Sequence, residues 1–375
     1  MSSPEAGAPR ALDDPKLKKL EALIRKSFRV RDNRTPVYVD VAEHLERVAL
    51  DQHQIVFGRR GSGKSCLLIF FRREIARSRG VHTIYILGDT VKPLDYPDVL
   101  IRLLLAIFEG LPSRKLWRRI LRSGNAEVEQ IVTELRQLLA LEAESKLRVT
   151  TAENQSSSTA LDASVRQGPA QVGINTSDAS AASREEVRES DEQKIRTVEA
   201  RLADYKRVIQ DEIEKAKCDY GVFIIDDFYL INPAHQPDVI DYLHRLLRDT
   251  DLYLKVGTVR HRTRLLRTGP LHIGVQENQD VDAFSLDQTL EDIDQTGLYL
   301  EEMLRKLGQE VGIDDAPSVM SDDGRKDLVL LSGGVPRDYL NIFVGGLERA
   351  RRLRSRQRVT PTDLRQSAAA LRSSN

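Results

Sequence analysis

Cysteine is scarce: Cys66 and Cys218 are the only two in 375 residues. Two thiols so far apart supply neither a disulfide framework nor the clustered spacing of a metal site. Net charge is also missing, because 57 lysines and arginines balance 57 aspartates and glutamates. A neutral chain does not coat nucleic acid by bulk attraction. There is no long hydrophobic run. The most apolar stretch, "VLIRLLLAIFEGL" from Val99, is shorter than a membrane span and carries Arg102. The sequence shows no secretory signal pattern, so it points to the cytoplasm and away from a membrane partner. Against these absences stand 40% apolar and 30% charged residues, enough for a soluble protein with a core. The length allows two or three domains.

What is present begins with "QIVFGRRGSGKSCLLIF" from Gln54. "QIVF" reads as a buried strand and "CLLIFFRREIA" as a helix. Between them Gly58, Gly63, Lys64 and Ser65 fill G-x-x-x-x-G-K-[ST], a phosphate loop. Its glycines permit φ > 0, so that successive N–H groups turn inward toward phosphate oxygens. Lys64 is expected at the β- and γ-phosphates and the Ser65 hydroxyl on magnesium, while the helix adds its positive N-terminal dipole. The expected cofactor-binding set is Gly58, Arg59, Arg60, Gly61, Ser62, Gly63, Lys64, Ser65 and Cys66. Within it, Arg59 and Arg60 either touch phosphate or face solvent or a neighbouring subunit. Cys66 is expected to be a small buried filler.

A second constellation, "YGVFIIDDFYLI" from Tyr220, is a run of β-formers ending in two aspartates. Asp226 at the strand end is expected to help hold magnesium, and Asp227 to orient or deprotonate an attacking water. The next strand, "LYLKVGTV" from Leu252, puts the Thr258 hydroxyl near its tip, where it could sense the γ-phosphate or its water. "RHRTRLLR" then carries Arg260, Arg262, Arg264 and Arg267. It is either an exposed basic stretch or the source of an arginine, with Arg262 the choice, that reaches a neighbouring protomer's nucleotide. Such an arginine changes the rate by roughly 10³–10⁵ and makes hydrolysis depend on a homo-oligomer. No guanine-reading N-K-x-D sequence occurs where a GTPase would carry one, so ATP is the expected nucleotide. The strand–helix alternation implies an α/β core with a parallel sheet.

Between these two halves lies a long insertion. Val128, Ile131, Val132, Leu135, Leu138 and Leu139 keep helical spacing. From about Val149 to Glu189 the chain turns to Ser, Ala, Thr, Gly and Gln without aromatics, which reads as a mobile loop. Ile195, Val198, Leu202, Tyr205 and Ile209 then alternate three and four residues apart like a coiled-coil seam. The result is a helical hairpin, either a spacer packed on the core or an arm that docks a protein partner. Two basic clusters could meet DNA. One is Arg114, Lys115, Arg118, Arg119 and Arg122 around Trp117; the other is Arg349, Arg351, Arg352, Arg354, Arg356 and Arg358.

Taken together, these residues resemble the AAA+ ATPases, and within them the clade of replication initiators of the origin-recognition type. The resemblance covers most of the chain outside the tail and the insertion. It rests on "GRRGSGKS", "VFIIDD", "LYLKVGTV" and the C-terminal "LSGGVPRDYLNIFVGGLERARR" followed by "RVTPTDLRQSAAA". It implies a parallel-sheet P-loop NTPase core with a C-terminal all-helical lid and a helical insertion. It also implies that Arg337, after the Gly333–Gly334 turn, contacts the nucleotide and couples its state to lid position. Thr360 or Thr362 can cap the last lid helix with Pro361 in its first turn, and the adenine pocket draws on the segment around Phe28 to Val39. The expected boundaries are a disordered tail over 1–15, N-terminal helices with the first half of the core over 16–111, and the insertion over 112–217 with its loop at 149–189. The second half of the core follows over 218–290 and the lid over 291–375. The sequence stops at Asn375 without the winged-helix domain usual in initiators, so it looks like the stand-alone bacterial relatives that act with partner proteins. The expected function is an ATP-hydrolysing molecular switch working with a macromolecular partner. The alternatives are a DNA-associated ATP-binding module with slow or no hydrolysis, and a scaffold that holds ATP unhydrolysed.

Overall fold

The computed structural model describes residues 11–27, 38–40, 43–112, 126–140, 175–288, 290–353 and 357–373. Most of the N-terminal tail, residues 28–37 of the expected adenine segment, the basic cluster around Trp117, and Arg354 and Arg356 lie outside them. The strands are β1 (Gln54–Phe57), β2 (His82–Leu87), β3 (Gly221–Asp226), β4 (Leu252–Thr258), β5 (Leu266–Arg267), β6 (Ile273–Gly274) and β7 (Asp282–Ser285). Five of them form a parallel sheet in the order β2-β3-β4-β1-β7, and β5 with β6 makes a separate antiparallel ribbon. Every residue of β1 and β3 is buried, as befits parallel strands covered on both faces. The α/β phosphate-loop core with helical parts expected from the sequence is thus the observed fold.

The chain divides into two compact units. The first takes Met1–Gly80, Lys255–Thr263 and Val281–Asn375. In it β1 lies between the end of β4 and β7, with Gln54 opposite both Lys255 and Asp282, and Phe57 opposite Thr258 and Ser285. Lys255 is wholly buried at the N-terminal end of these strands. Its ammonium donates to the Leu50 carbonyl at 2.5 Å, the Gln52 carbonyl at 3.0 Å and Gln54 Oε1 at 2.7 Å. The neighbouring Asp282 accepts from Arg47, Gln52 and Gln54, and the Arg47 hydrogen bond holds its carboxyl below the usual range.

Burial outweighs the attraction of Asp282 and Asp51 and lowers the Lys255 pKa from 10.5 to about 7. Between those values the unfolded chain binds a proton that the folded chain lacks, so stability rises with pH across that window. Urea unfolding should therefore show a gain of about 2 kcal/mol between pH 7 and pH 9. A Lys255→Met chain should lose that slope; equal slopes in the two proteins would contradict the burial argument.

The rest of this unit is helical: Ile293–Gln309, Asp322–Ser332, Pro336–Arg352 and Pro361–Ser373. Ser321 caps the second by accepting the Gly324 amide. At the start of the fourth, the Thr360 amide and hydroxyl both donate to the Asp363 carboxylate. Leu300, Leu304, Leu328, Tyr339, Phe343 and Leu364 are buried together in the core of this bundle. Leu17, Leu20 and Ile24 of helix Pro15–Ser27 belong to the same core. The sequence grouped that helix with the first half of the ATPase core; its apolar face is instead covered by the C-terminal helices. Arg351 pairs with Glu21 at 2.7 Å and Arg25 with Glu348 at 2.7 Å along the same contact. Helical spacing identifies a face to be buried and leaves its cover unspecified.

The second unit takes Val81–Leu254 and Arg264–Asp280. Here β2 pairs with β3 from His82 opposite Gly221 to Leu87 opposite Asp226. Its helices are Asp98–Gly110, residues 126–140, Asn175–Ala200, Leu202–Lys215 and Gln236–Leu247. The expected loop over 149–189 is corrected at its C-terminal end, since helix begins at Asn175; residues 149–174 lie outside the described residues. Lack of aromatics limits burial, but Ala, Glu and Arg are good helix formers, so composition there did not exclude a helix.

The two arms run antiparallel, with Arg201 on Glu134 and Arg207 on Glu127. Val198, Tyr205 and Ile209 are buried, while Ile195 and Leu202 of the expected seam are only half-buried. The stripe packs on core helices. Tyr205 meets Phe108 edge-on at 5.1 Å, and the Tyr242 hydroxyl donates to the Val198 carbonyl at 2.6 Å. Among the described residues, no helix is long and apolar enough to cross a membrane.

Candidate functional site

The phosphate loop follows β1 directly and runs into helix Lys64–Phe70, which continues through a π-helical turn, Phe71–Ile75, to Ala76–Ser78. Gly61 and Gly63 take φ of 91° and 101°, a region that side chains disfavour. Gly61 also leaves no room for a side chain, because a Cβ would lie 2.9 Å from Arg337 Cβ. Gly58, contrary to expectation, is not among the positive-φ glycines; a Cβ there would sit 2.3 Å from Ser62 Oγ. The Lys64 side chain is buried and folds back, donating to the Gly58 carbonyl at 2.7 Å and the Arg59 carbonyl at 3.1 Å. The Ser62 hydroxyl is buried with no hydrogen-bond partner among the described residues. Ser65 lies half-buried in the first turn of the helix, and Cys66 beside it is half-buried where a buried filler was expected.

The loop's arginines differ. Arg60 is exposed. The Arg59 amide donates to Asp287 Oδ1 at 2.7 Å, and its guanidinium donates to the carbonyls of Gln288 and Gly333, each at 3.1 Å. Arg337 opens the helix after the Gly333–Gly334 turn, and its amide donates to the Gly61 carbonyl at 3.3 Å. Both glycines of that turn have positive φ. Thr258 is buried, and its hydroxyl is 2.6 Å from the Thr263 hydroxyl, which in turn donates to the Val259 carbonyl. Arg260 stacks over the Phe57 ring at 3.8 Å, and Arg262 is exposed.

In the second unit, Asp226 ends β3 fully buried. The Tyr85 hydroxyl donates to its Oδ2 at 2.9 Å and the Asp227 amide to its Oδ1 at 3.0 Å. Asp227 is half-buried in the left-handed conformation, φ 58° and ψ 41°. Gly88 lies so close that a Cβ would come within 2.2 Å of the Asp227 carbonyl oxygen. Arg267 forms a two-pronged pair with Asp238 at 2.6 and 2.8 Å, and the Arg264 amide donates to Gln236. In the C-terminal basic cluster Arg351 is committed to Glu21, while Arg349, Arg352 and Arg358 are exposed.

No family model matches the sequence, and no curated protein does. Among solved structures, the chain is similar to Cdc6p from Pyrobaculum aerophilum at 12% identity, covering 91% of this chain and 69% of that one with a TM-score of 0.44. It is similar to the Aeropyrum pernix Orc1 protein, solved in complex with DNA, at 13% identity, 94% and 65% coverage and a TM-score of 0.39. The Thermotoga maritima RuvB Holliday junction branch migration motor follows at 12% identity, 96% and 69% coverage and a TM-score of 0.36.

Three residues at these positions escaped sequence reasoning. Tyr85 reaches Asp226 from the neighbouring strand, a register fact that the two separate strand patterns did not carry. Thr263 takes the Thr258 hydroxyl. Asp287, just beyond β7, fixes Arg59 from 228 positions away. Among the described residues no group of three or more His, Cys, Asp or Glu side chains could hold a metal ion on its own. Magnesium characteristically keeps only one or two carboxylates and takes its other oxygens from water and phosphate.

Proposed function

We propose that this chain is an ATP-binding and ATP-hydrolysing switch of the AAA+ type that works as an oligomer with a macromolecular partner. The supporting observation is the phosphate loop itself. A buried lysine bonds the loop's own carbonyls, a buried serine hydroxyl has no partner among the described residues, and two glycines hold φ near 100°. Main-chain carbonyls are poor long-term company for an ammonium that phosphate oxygens can take over as charge-assisted acceptors. In this reading Lys64 leaves Gly58 and Arg59 for the β- and γ-phosphates, and Ser62 with the loop amides completes the cradle. Ser65 and Asp226 would supply hard oxygen donors of the kind magnesium prefers, and the metal would screen the phosphate charge. Asp227 orients the attacking water, Thr258 senses the γ-phosphate, Arg337 carries nucleotide state to the lid, and Arg262 completes a neighbour's site.

Calorimetry with magnesium and ATP tests the proposal. The wild-type chain should bind, and Lys64→Ala should lose binding beyond detection while keeping its fold by circular dichroism. Equal heats from the two proteins would remove the loop from nucleotide binding.

A further inference from the structure

We infer that Arg59 is a latch between the phosphate loop and the lid turn, and that it sets how long a nucleotide stays bound. The inference rests on the proposed nucleotide site and adds a regulatory residue to it.

Three observations carry it. The Arg59 guanidinium donates to the Gln288 and Gly333 carbonyls, each at 3.1 Å. Its own carbonyl accepts from Lys64 Nζ and from the Ser62 amide, each at 3.1 Å. Its amide is held by Asp287 at 2.7 Å. One residue therefore touches the phosphate lysine through its backbone and the glycine turn before Arg337 through its side chain. A return contact, from the Arg337 amide to the Gly61 carbonyl, closes the ring at 3.3 Å.

The Asp287–Arg59 ion pair is long, 3.5 Å, and both side chains are partly exposed, so charge attraction contributes little. The two carbonyl bonds do more. Both come from one terminal nitrogen, Nη2, which bridges the two carbonyls at the full reach of the arginine side chain. When Lys64 turns to phosphate, it releases the Arg59 carbonyl, so nucleotide arrival and the grip on Gly333 meet at one residue. Without the latch the lid turn loses its side-chain tie to the phosphate loop and keeps the Arg337–Gly61 bond, and nucleotide leaves faster.

Stopped-flow release of N-methylanthraniloyl-ADP and -ATP from the full chain tests this. Arg59→Ala and Asp287→Ala should each raise the off-rate about five-fold or more, and together they should be non-additive. Arg59→Lys, which keeps the charge, should fall between wild type and Arg59→Ala, and it serves if the alanine variant folds poorly. Amide exchange over Gly333–Arg337 in the nucleotide-free protein should accelerate in the same variants. If Arg59 grips phosphate directly, Asp287→Ala frees it and slows release. That result, or an unchanged off-rate in Arg59→Ala, overturns the latch. Absence of nucleotide binding by wild type would overturn the proposed function instead, and unchanged exchange at Gly333–Arg337 would still overturn the latch.

Discussion

An Asp227→Asn chain should bind ATP as tightly as wild type and release phosphate at least about 10²-fold more slowly, the usual scale for losing a general base. The backbone makes this a clean substitution. Asp227 occupies the left-handed region at φ 58°, its carbonyl accepts the Leu230 amide at 3.0 Å, and Gly88 packs against that carbonyl. Asparagine tolerates left-handed geometry as well as aspartate does, so the turn after β3 should persist with only the charge removed. The preceding Asp226 is different: it is fully buried and bonded by Tyr85 and by the Asp227 amide, so changing it would also disturb β3. Binding by calorimetry and phosphate release should be measured on the same preparation. Unchanged turnover would take the water-orienting role away from Asp227. Lost binding would mean its carboxylate acts on the bound nucleotide.

The parts of this protein legible in the sequence are those whose physics is local. The strand–loop–helix at Gln54–Phe70 could be read because glycine, lysine and serine at fixed spacing have few other uses. The apolar run "VFIID" could be read because strands buried on both faces lose their alternation. What was not legible depends on distant partners. Lys255 breaks an apolar strand, and nothing in "LYLKVGTV" says that Leu50, Gln52 and Gln54 supply its acceptors. Arg59 lay open between phosphate and solvent because its partners, Asp287, Gln288 and Gly333, come from the far end of the chain. The helix at Pro15–Ser27 showed its apolar face but not the bundle that covers it. Periodicity reports which face is buried; pairing across hundreds of residues is a property of the folded chain.

That distinction bears most on the insertion, where the sequence left both a spacer and a docking arm open. Lys194 of helix Asn175–Ala200 bonds Asp98 at 2.8 Å, with side chains only 1% and 3% exposed. Asp98 opens helix Asp98–Gly110, where the helix dipole favours a negative charge. Lys194→Met should destabilise the second unit by about 3–5 kcal/mol, because it leaves a carboxylate buried without its counter-charge. The pair itself is worth far less than that. Removing both charges with Lys194→Met and Asp98→Asn should recover much of the loss, since a neutral replacement of a buried pair is often tolerated. Urea unfolding of the two singles and the double gives the coupling directly. A strong coupling means that the C-terminal arm of the insertion is a fixed part of its unit at Lys194. If Lys194→Met unfolds with wild type, the arm is not docked on Asp98 in solution, and the docking-arm reading gains the ground that the spacer reading loses.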